Sequence, residues 1–168
     1  FDIARELRWG RVEETYGEDP YLIAEMGIGF VKGYQKHRIT CTPKHFVAHG
    51  TPTGGLNCAF VSGGEREFRS MHLYPFARVI KEADPLCIMS CYSAYDGIPV
   101  SASPYYMTDV LRDELGFKGY VYSDWGAIEM LKTLHYTAHN SEEAAMQAFT
   151  AGLDVEAVSY THLTLPTK

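Results

Sequence analysis

Short apolar runs alternate with helix-like segments along this chain, and that alternation restricts the fold more than any other feature of the sequence. Strand-like runs fall at residues 1–4, at 39–47 with Pro43 as an interruption, at 86–91 and at 119–124, and a last run opens at Leu153. Between them, apolar residues at roughly helical spacing predict helices over 19–36, 65–83, 104–115, 127–134 and 141–151. Pro20 suits a first helical turn, Pro75 predicts a kink, Gly116 suits a left-handed stop, and Ser141 opens the last helix ahead of Glu142 and Glu143. Loops are longer after strands than after helices, which describes βαβ units on a parallel α/β sheet. A closed (β/α)₈ barrel takes ~250 residues. About four to five strands in 168 residues therefore fit either an open doubly wound sheet or part of a barrel.

The run Gly119-Tyr120-Val121-Tyr122-Ser123-Asp124-Trp125-Gly126 ends an apolar strand in an acid. In parallel α/β folds the carboxyl ends of strands are the edge where chemistry sits. Ser123 and Asp124 could equally cap the segment that follows, since their oxygens accept from free backbone N–H groups. The other strand ends carry groups that an apolar core does not need. Arg5, Arg8, Trp9, Gly10, Arg11 and Glu14 follow the first, Lys44-His45 closes the second, and Tyr92 follows the third. Such convergence on one edge points to a shared site.

The formal charge of −6 is spread without an acidic or basic block, which argues against a nucleic-acid partner. No apolar run approaches the ~20 residues needed to span a bilayer, so no membrane partner is expected. Phe1 in place of an initiator Met points to a chain that begins inside a longer protein, so the compartment is not read from this end. Cys41, Cys58, Cys87 and Cys91 lack paired metal-ligand spacing and read as core or near-core thiols. Neither a metal nor a cofactor is expected.

The motifs come in a characteristic order. Arg8-Trp9-Gly10-Arg11 is followed by Tyr16-Gly17-Glu18-Asp19-Pro20-Tyr21-Leu22, Lys44-His45-Phe46, Glu65-Arg66-Glu67 with Tyr74-Pro75-Phe76, Met89 through Gly97, Leu111-Arg112 with Gly116-Phe117-Lys118-Gly119, and Ser123-Asp124-Trp125. From Phe1 to about Glu156 this series resembles glycoside hydrolase family three. The resemblance implies an incomplete (β/α)₈ TIM-type barrel, belonging to the middle and later part of that domain, and a retaining exo-acting β-glycosidase. It makes Asp124 the nucleophile that forms a covalent glycosyl-enzyme. It also implies that Arg11, Lys44 and His45 bind the hydroxyls of the terminal sugar, that Met89 is an apolar wall, that Tyr92 stands beside the nucleophile, and that Trp125 stacks on a sugar face.

Two departures refine that expectation. Many members carry an Asn-Arg pair in the loop beyond the Lys, where this chain has Gly55 within Thr53-Gly54-Gly55-Leu56-Asn57. The Asp-Ser-His acid/base of the N-acetylhexosamine branch is absent from the same loop, and His49 lies too early to replace it. The resemblance therefore implies a β-glucosidase or β-xylosidase, with a small-molecule or oligosaccharide substrate and an acid/base Glu supplied by a second domain. The alternative is a carbohydrate-binding or structural domain on the same barrel without catalysis. Residues 158–168 stand apart from the domain at 1–157: Val158-Ser159-Tyr160-Thr161-His162-Leu163-Thr164-Leu165-Pro166-Thr167 reads like the conceptual translation of a sequencing-library adapter, the other reading being an amphipathic strand with a Pro stop.

Overall fold

The computed structural model describes residues 1–157, and the adapter-like run at 158–168 lies outside the described residues. Strand β1 (Cys87–Met89) precedes a small hairpin of β2 (Ala94–Tyr95) and β3 (Ile98–Pro99), and β4 (Tyr120–Tyr122) comes later in the chain. β1 and β4 pair in parallel, with Cys87 opposite Tyr120, Ile88 opposite Val121 and Met89 opposite Tyr122. Single parallel bridges extend this pair on both sides, from Phe46 to Ser90 and from Tyr122 to Val155. Four extended segments thus lie side by side in chain order, all running the same way. The expected strand at 1–4 forms no ladder, although Phe1 N–H donates to the Lys44 carbonyl and keeps that segment against the Lys44-His45 strand end.

Side-chain alternation decides what each face of the sheet does. Phe46, Ile88 and Val121 are fully buried and share a core with Phe76, Ile80, Met107, Val110, Leu111 and Leu131. Burying each large apolar side chain contributes about 1.5–3 kcal/mol, so this face binds the helices to the sheet. Met89 and Tyr122, of the opposite parity, are only half-buried.

The helices follow the sequence with instructive differences. Helix α1 (Pro20–Gln35) starts where Asp19 accepts the Tyr21 N–H at 2.9 Å. Its buried Ile28 and Val31 pack with Cys41 and with Val79 and Ala83 of α3 (Tyr74–Ala83). The segment expected at 65–83 is broken: a short turn α2 (Glu65–Glu67) leads into the π-helical run Phe68–His72 before α3 begins. Pro75 accounts for the break, because its nitrogen cannot donate and its ring crowds the preceding turn. The helix expected at 104–115 forms at Tyr105–Glu114 as a π-helix, closed by Leu115 N–H to Val110 O at 3.0 Å, and Gly116 takes φ +70° just beyond it.

Helix α4 (Met130–Thr133) is shorter than expected, and α5 (Ser141–Ala151) is capped by Asn140 rather than Ser141. Asn140 Oδ1 accepts the Glu143 N–H at 2.8 Å, while the Ser141 hydroxyl donates to Glu129 at 2.9 Å and ties α5 to the residue before α4. The β2–β3 hairpin turns on Asp96-Gly97. Both residues have positive φ, 49° and 81°, as a tight two-residue connection requires. Among the described residues no helix is long and apolar enough to cross a membrane.

Candidate active site

Asp124 lies two residues beyond the end of β4. Ser123 N–H donates to the Val155 carbonyl at 2.8 Å, and Ser123 Oγ accepts the Ala157 N–H at 2.8 Å, so the residue before Asp124 is fixed to the neighbouring segment. The Asp124 side chain therefore stands just past a strand end, on a backbone tied to the neighbouring segment. Its two oxygens differ. Oδ1 accepts the Tyr92 hydroxyl at 2.9 Å and the Trp125 N–H at 2.7 Å, whereas the buried Oδ2 has no hydrogen-bond partner among the described residues. The capping and strand-end readings of this residue therefore meet in one carboxylate: Oδ1 holds the turn and Oδ2 remains uncommitted.

His45 Nε2 lies 3.3 Å from that Oδ2, and His45 Nδ1 lies 2.7 Å from Asp2 Oδ2. Arg11 approaches the same imidazole, with Nη2 3.0 Å from His45 Nε2, and its Nη1 is 3.3 Å from His49 Nε2. A guanidinium only donates, so both Nε2 atoms accept and each imidazole carries its proton on Nδ1. His45 then donates to Asp2, and His49 donates to Ser93 Oγ at 2.9 Å. Glu14 completes the surroundings of Arg11, receiving Nε at 2.6 Å and Nη2 at 2.8 Å, and also accepts from Lys44 Nζ at 3.3 Å.

Burial and charge set the protonation of this cluster. Burial drives the His49 imidazole down to about 4, so it stays neutral and able to accept from Arg11. Glu14 is held at about 2, chiefly by its hydrogen bonds from Arg11. Burial raises the Tyr92 hydroxyl above its ordinary value, and the adjacent Asp124 carboxylate adds to that shift, so Tyr92 remains a donor. Close packing sustains the arrangement: a side-chain carbon at Gly50 would come within 2.8 Å of both Asp2 Cβ and the Ile3 carbonyl, and only glycine lets the loop after His49 sit against the first segment.

Of the residues singled out in the sequence, Arg11, His45, Tyr92 and Asp124 converge directly, and Lys44 joins them through Glu14. Trp125 contributes its backbone N–H to Asp124, while its side chain is open to solvent at 71% exposure. Met89 sits half-buried on β1 opposite Tyr122, the strand that delivers Asp124. Asp2 and Ser93 escaped the sequence reading, and His49 entered it only as lying too early to be an acid/base. Each acts through another side chain rather than by standing at a strand end, and the one available signal was the spacing of two histidines on one loop, His45 and His49. Among the described residues no group of three or more His, Cys, Asp or Glu side chains could hold a metal ion, and all four cysteines are free thiols.

The profile of the glycosyl hydrolase family 3 N-terminal domain matches residues 1–165. A β-xylosidase of Formosa agariphila is 38% identical over 163 residues, covering 92% of this chain and 22% of that protein. A lysosomal β-glucosidase of Dictyostelium discoideum is 37% identical over 161 residues, covering 89% of this chain and 20% of its own length. Among solved structures, a β-glucosidase of Erythrobacter marinus superposes with a TM-score of 0.89 at 38% identity, over 92% of this chain and 22% of that one. A β-glucosidase of Listeria innocua in complex with isofagomine gives 0.88 at 36% identity, over 92% of this chain and 23% of that one. The chain thus spans about a fifth of the length of these relatives. It belongs to glycoside hydrolase family 3, as a part of that family's N-terminal domain.

Proposed function

We propose that this chain carries the nucleophile half of a retaining exo-acting β-glycosidase that cleaves β-glucosides or β-xylosides. The observation that carries the reading is the asymmetric Asp124 carboxylate, anchored through Oδ1 and uncommitted at the buried Oδ2. An oxygen so placed attacks the anomeric carbon of a bound sugar as the leaving-group oxygen is protonated. The resulting glycosyl ester is then hydrolysed by water, with net retention. Arg11 and Lys44 bind hydroxyls of the terminal sugar, His45 holds Arg11 in place through Nε2, Met89 and Tyr92 line the space beside the nucleophile, and Trp125 offers an exposed ring to the leaving group.

The second half of the chemistry belongs to another domain. A Glu outside this chain serves as the acid/base, since a double displacement needs a second carboxyl group to protonate the leaving oxygen and later to activate water. The parallel segments in chain order support reading this piece as part of a (β/α)₈ barrel, because an open doubly wound sheet reverses its order at a switch point. In the complete enzyme, Asp124→Asn should lose nearly all turnover on aryl β-glucosides and β-xylosides while the fold persists. Substantial turnover in that variant would favour a carbohydrate-binding or structural role instead.

A further inference from the structure

Arg11 has more partners than a substrate-binding arginine needs, and counting them limits what it can offer. A guanidinium has five N–H donors. Glu14 takes the Nε–H at 2.6 Å and one Nη2–H at 2.8 Å, and His45 Nε2 takes the other Nη2–H at 3.0 Å. His49 Nε2 takes one Nη1–H at 3.3 Å. One Nη1–H is left without an acceptor among the described residues. The guanidinium is planar, so fixing one Nη1–H on His49 also fixes the direction of the other.

His49 is built for that task. It is fully buried, and its Nδ1 is held by Ser93 at 2.9 Å. Its ring lies edge-on to Trp9 at 5.2 Å, His45 at 4.7 Å and Tyr92 at 5.7 Å, so it is packed behind three residues of the site. We propose that His49 is a positioning residue that orients Arg11, so that a single guanidinium N–H reaches a single hydroxyl of the substrate. The proposal rests on the glycosidase reading and adds a rule of recognition: Arg11 reads one hydroxyl rather than gripping two. Ser93 supports the same device by accepting the His49 Nδ1–H and holding the ring in place.

The test uses the complete enzyme and an aryl β-glycoside together with its monodeoxy series. His49→Phe keeps a ring but removes the acceptor, and His49→Gln restores an oxygen near the position of Nε2. Losing a hydrogen bond to a charged group corresponds to about a tenfold to hundredfold fall in kcat/KM on the parent glycoside. The loss should shrink to about twofold or less on one deoxy substrate, persist on the others, and be largely repaired by His49→Gln. Equal losses on every deoxy substrate, or none on the parent, would overturn the proposal. Should His49→Phe fail to fold, Ser93→Ala must show the same substrate-selective loss in weaker form, and its absence counts against the role. Asp124→Asn, assayed in parallel, separates the two readings: retained turnover there defeats the glycosidase assignment itself, whereas a dead Asp124→Asn with an indifferent His49→Phe defeats only the positioning role.

Discussion

The Tyr92 hydroxyl donates to Asp124 Oδ1 at 2.9 Å and leaves Oδ2 of the same carboxylate without a hydrogen-bond partner among the described residues. Tyr92 arrives from the segment after β1 and Asp124 from the end of β4, so the parallel pairing of these strands sets the contact. In Tyr92→Phe the carboxylate keeps only the Trp125 N–H on Oδ1 and is free to rotate. Turnover of aryl β-glycosides by the complete enzyme should fall about tenfold, the scale of one hydrogen bond to a charged group. Wild-type steady-state turnover in Tyr92→Phe would remove Tyr92 from the account.

Asp2 supports His45 from below. Asp2→Ala would leave the His45 Nδ1–H buried without its acceptor, at a cost of about 1–3 kcal/mol. Denaturant unfolding of the complete enzyme should show that loss in the transition of this domain, accompanied by reduced activity. A variant as stable and active as the wild type would show that the Asp2 contact contributes nothing.

Two buried histidines give the domain a defined acid sensitivity. His49 is brought to about 4 by burial, and so is His72, which is 2% exposed, with nearby Arg5 adding to the shift. An unfolded His titrates near 6.5. Between these values the unfolded chain binds more protons than the folded one, so stability rises with pH. Their contribution is fully present above about pH 6.5 and is lost as pH falls toward 4, on the order of 1–3 kcal/mol for each group. Unfolding free energies measured near pH 5 and pH 7 should therefore differ, with the lower value near pH 5. His72→Phe should flatten the dependence, and stability that grew on acidification would contradict the assignment.

The cap of α5 offers a purely structural test. Asn140→Ala removes the acceptor for the Glu143 N–H and should cost about 1 kcal/mol, read as a lowered melting temperature. An unchanged melt would return the cap to Ser141.

Much of this architecture is legible in the residues because strands and helices differ in hydrophobic period. The β1–β4 pair and α1 fall within the expected ranges, and Pro75 announces the break before α3. Asp124 is readable because it ends an apolar run, and the Lys44-His45 pair because it interrupts one. Local pattern could not supply contacts between distant segments. Asp2 meets His45 across 43 positions and His49 meets Ser93 across 44, and neither partner has a periodicity that points to the other. The expected strand at 1–4 makes single backbone bonds, Phe1 N–H to Lys44 O and Ala4 N–H to Gly17 O, and no ladder for a related reason: propensity describes a segment, whereas a ladder needs successive bonds to one neighbour. The exchange of Ser141 for Asn140 as cap was decided by a competing acceptor, Glu129, which is remote from the local motif.

The central claim is that Asp124 Oδ2 is the attacking atom, and covalent labelling tests it most directly. The complete enzyme would be treated with a 2-deoxy-2-fluoro β-glucoside or β-xyloside bearing a good leaving group, then digested and mapped by mass spectrometry. The account predicts one fluoroglycosyl group, on the peptide containing Asp124, with none in Asp124→Asn. A label on a different acid, or none on an active enzyme, would contradict it.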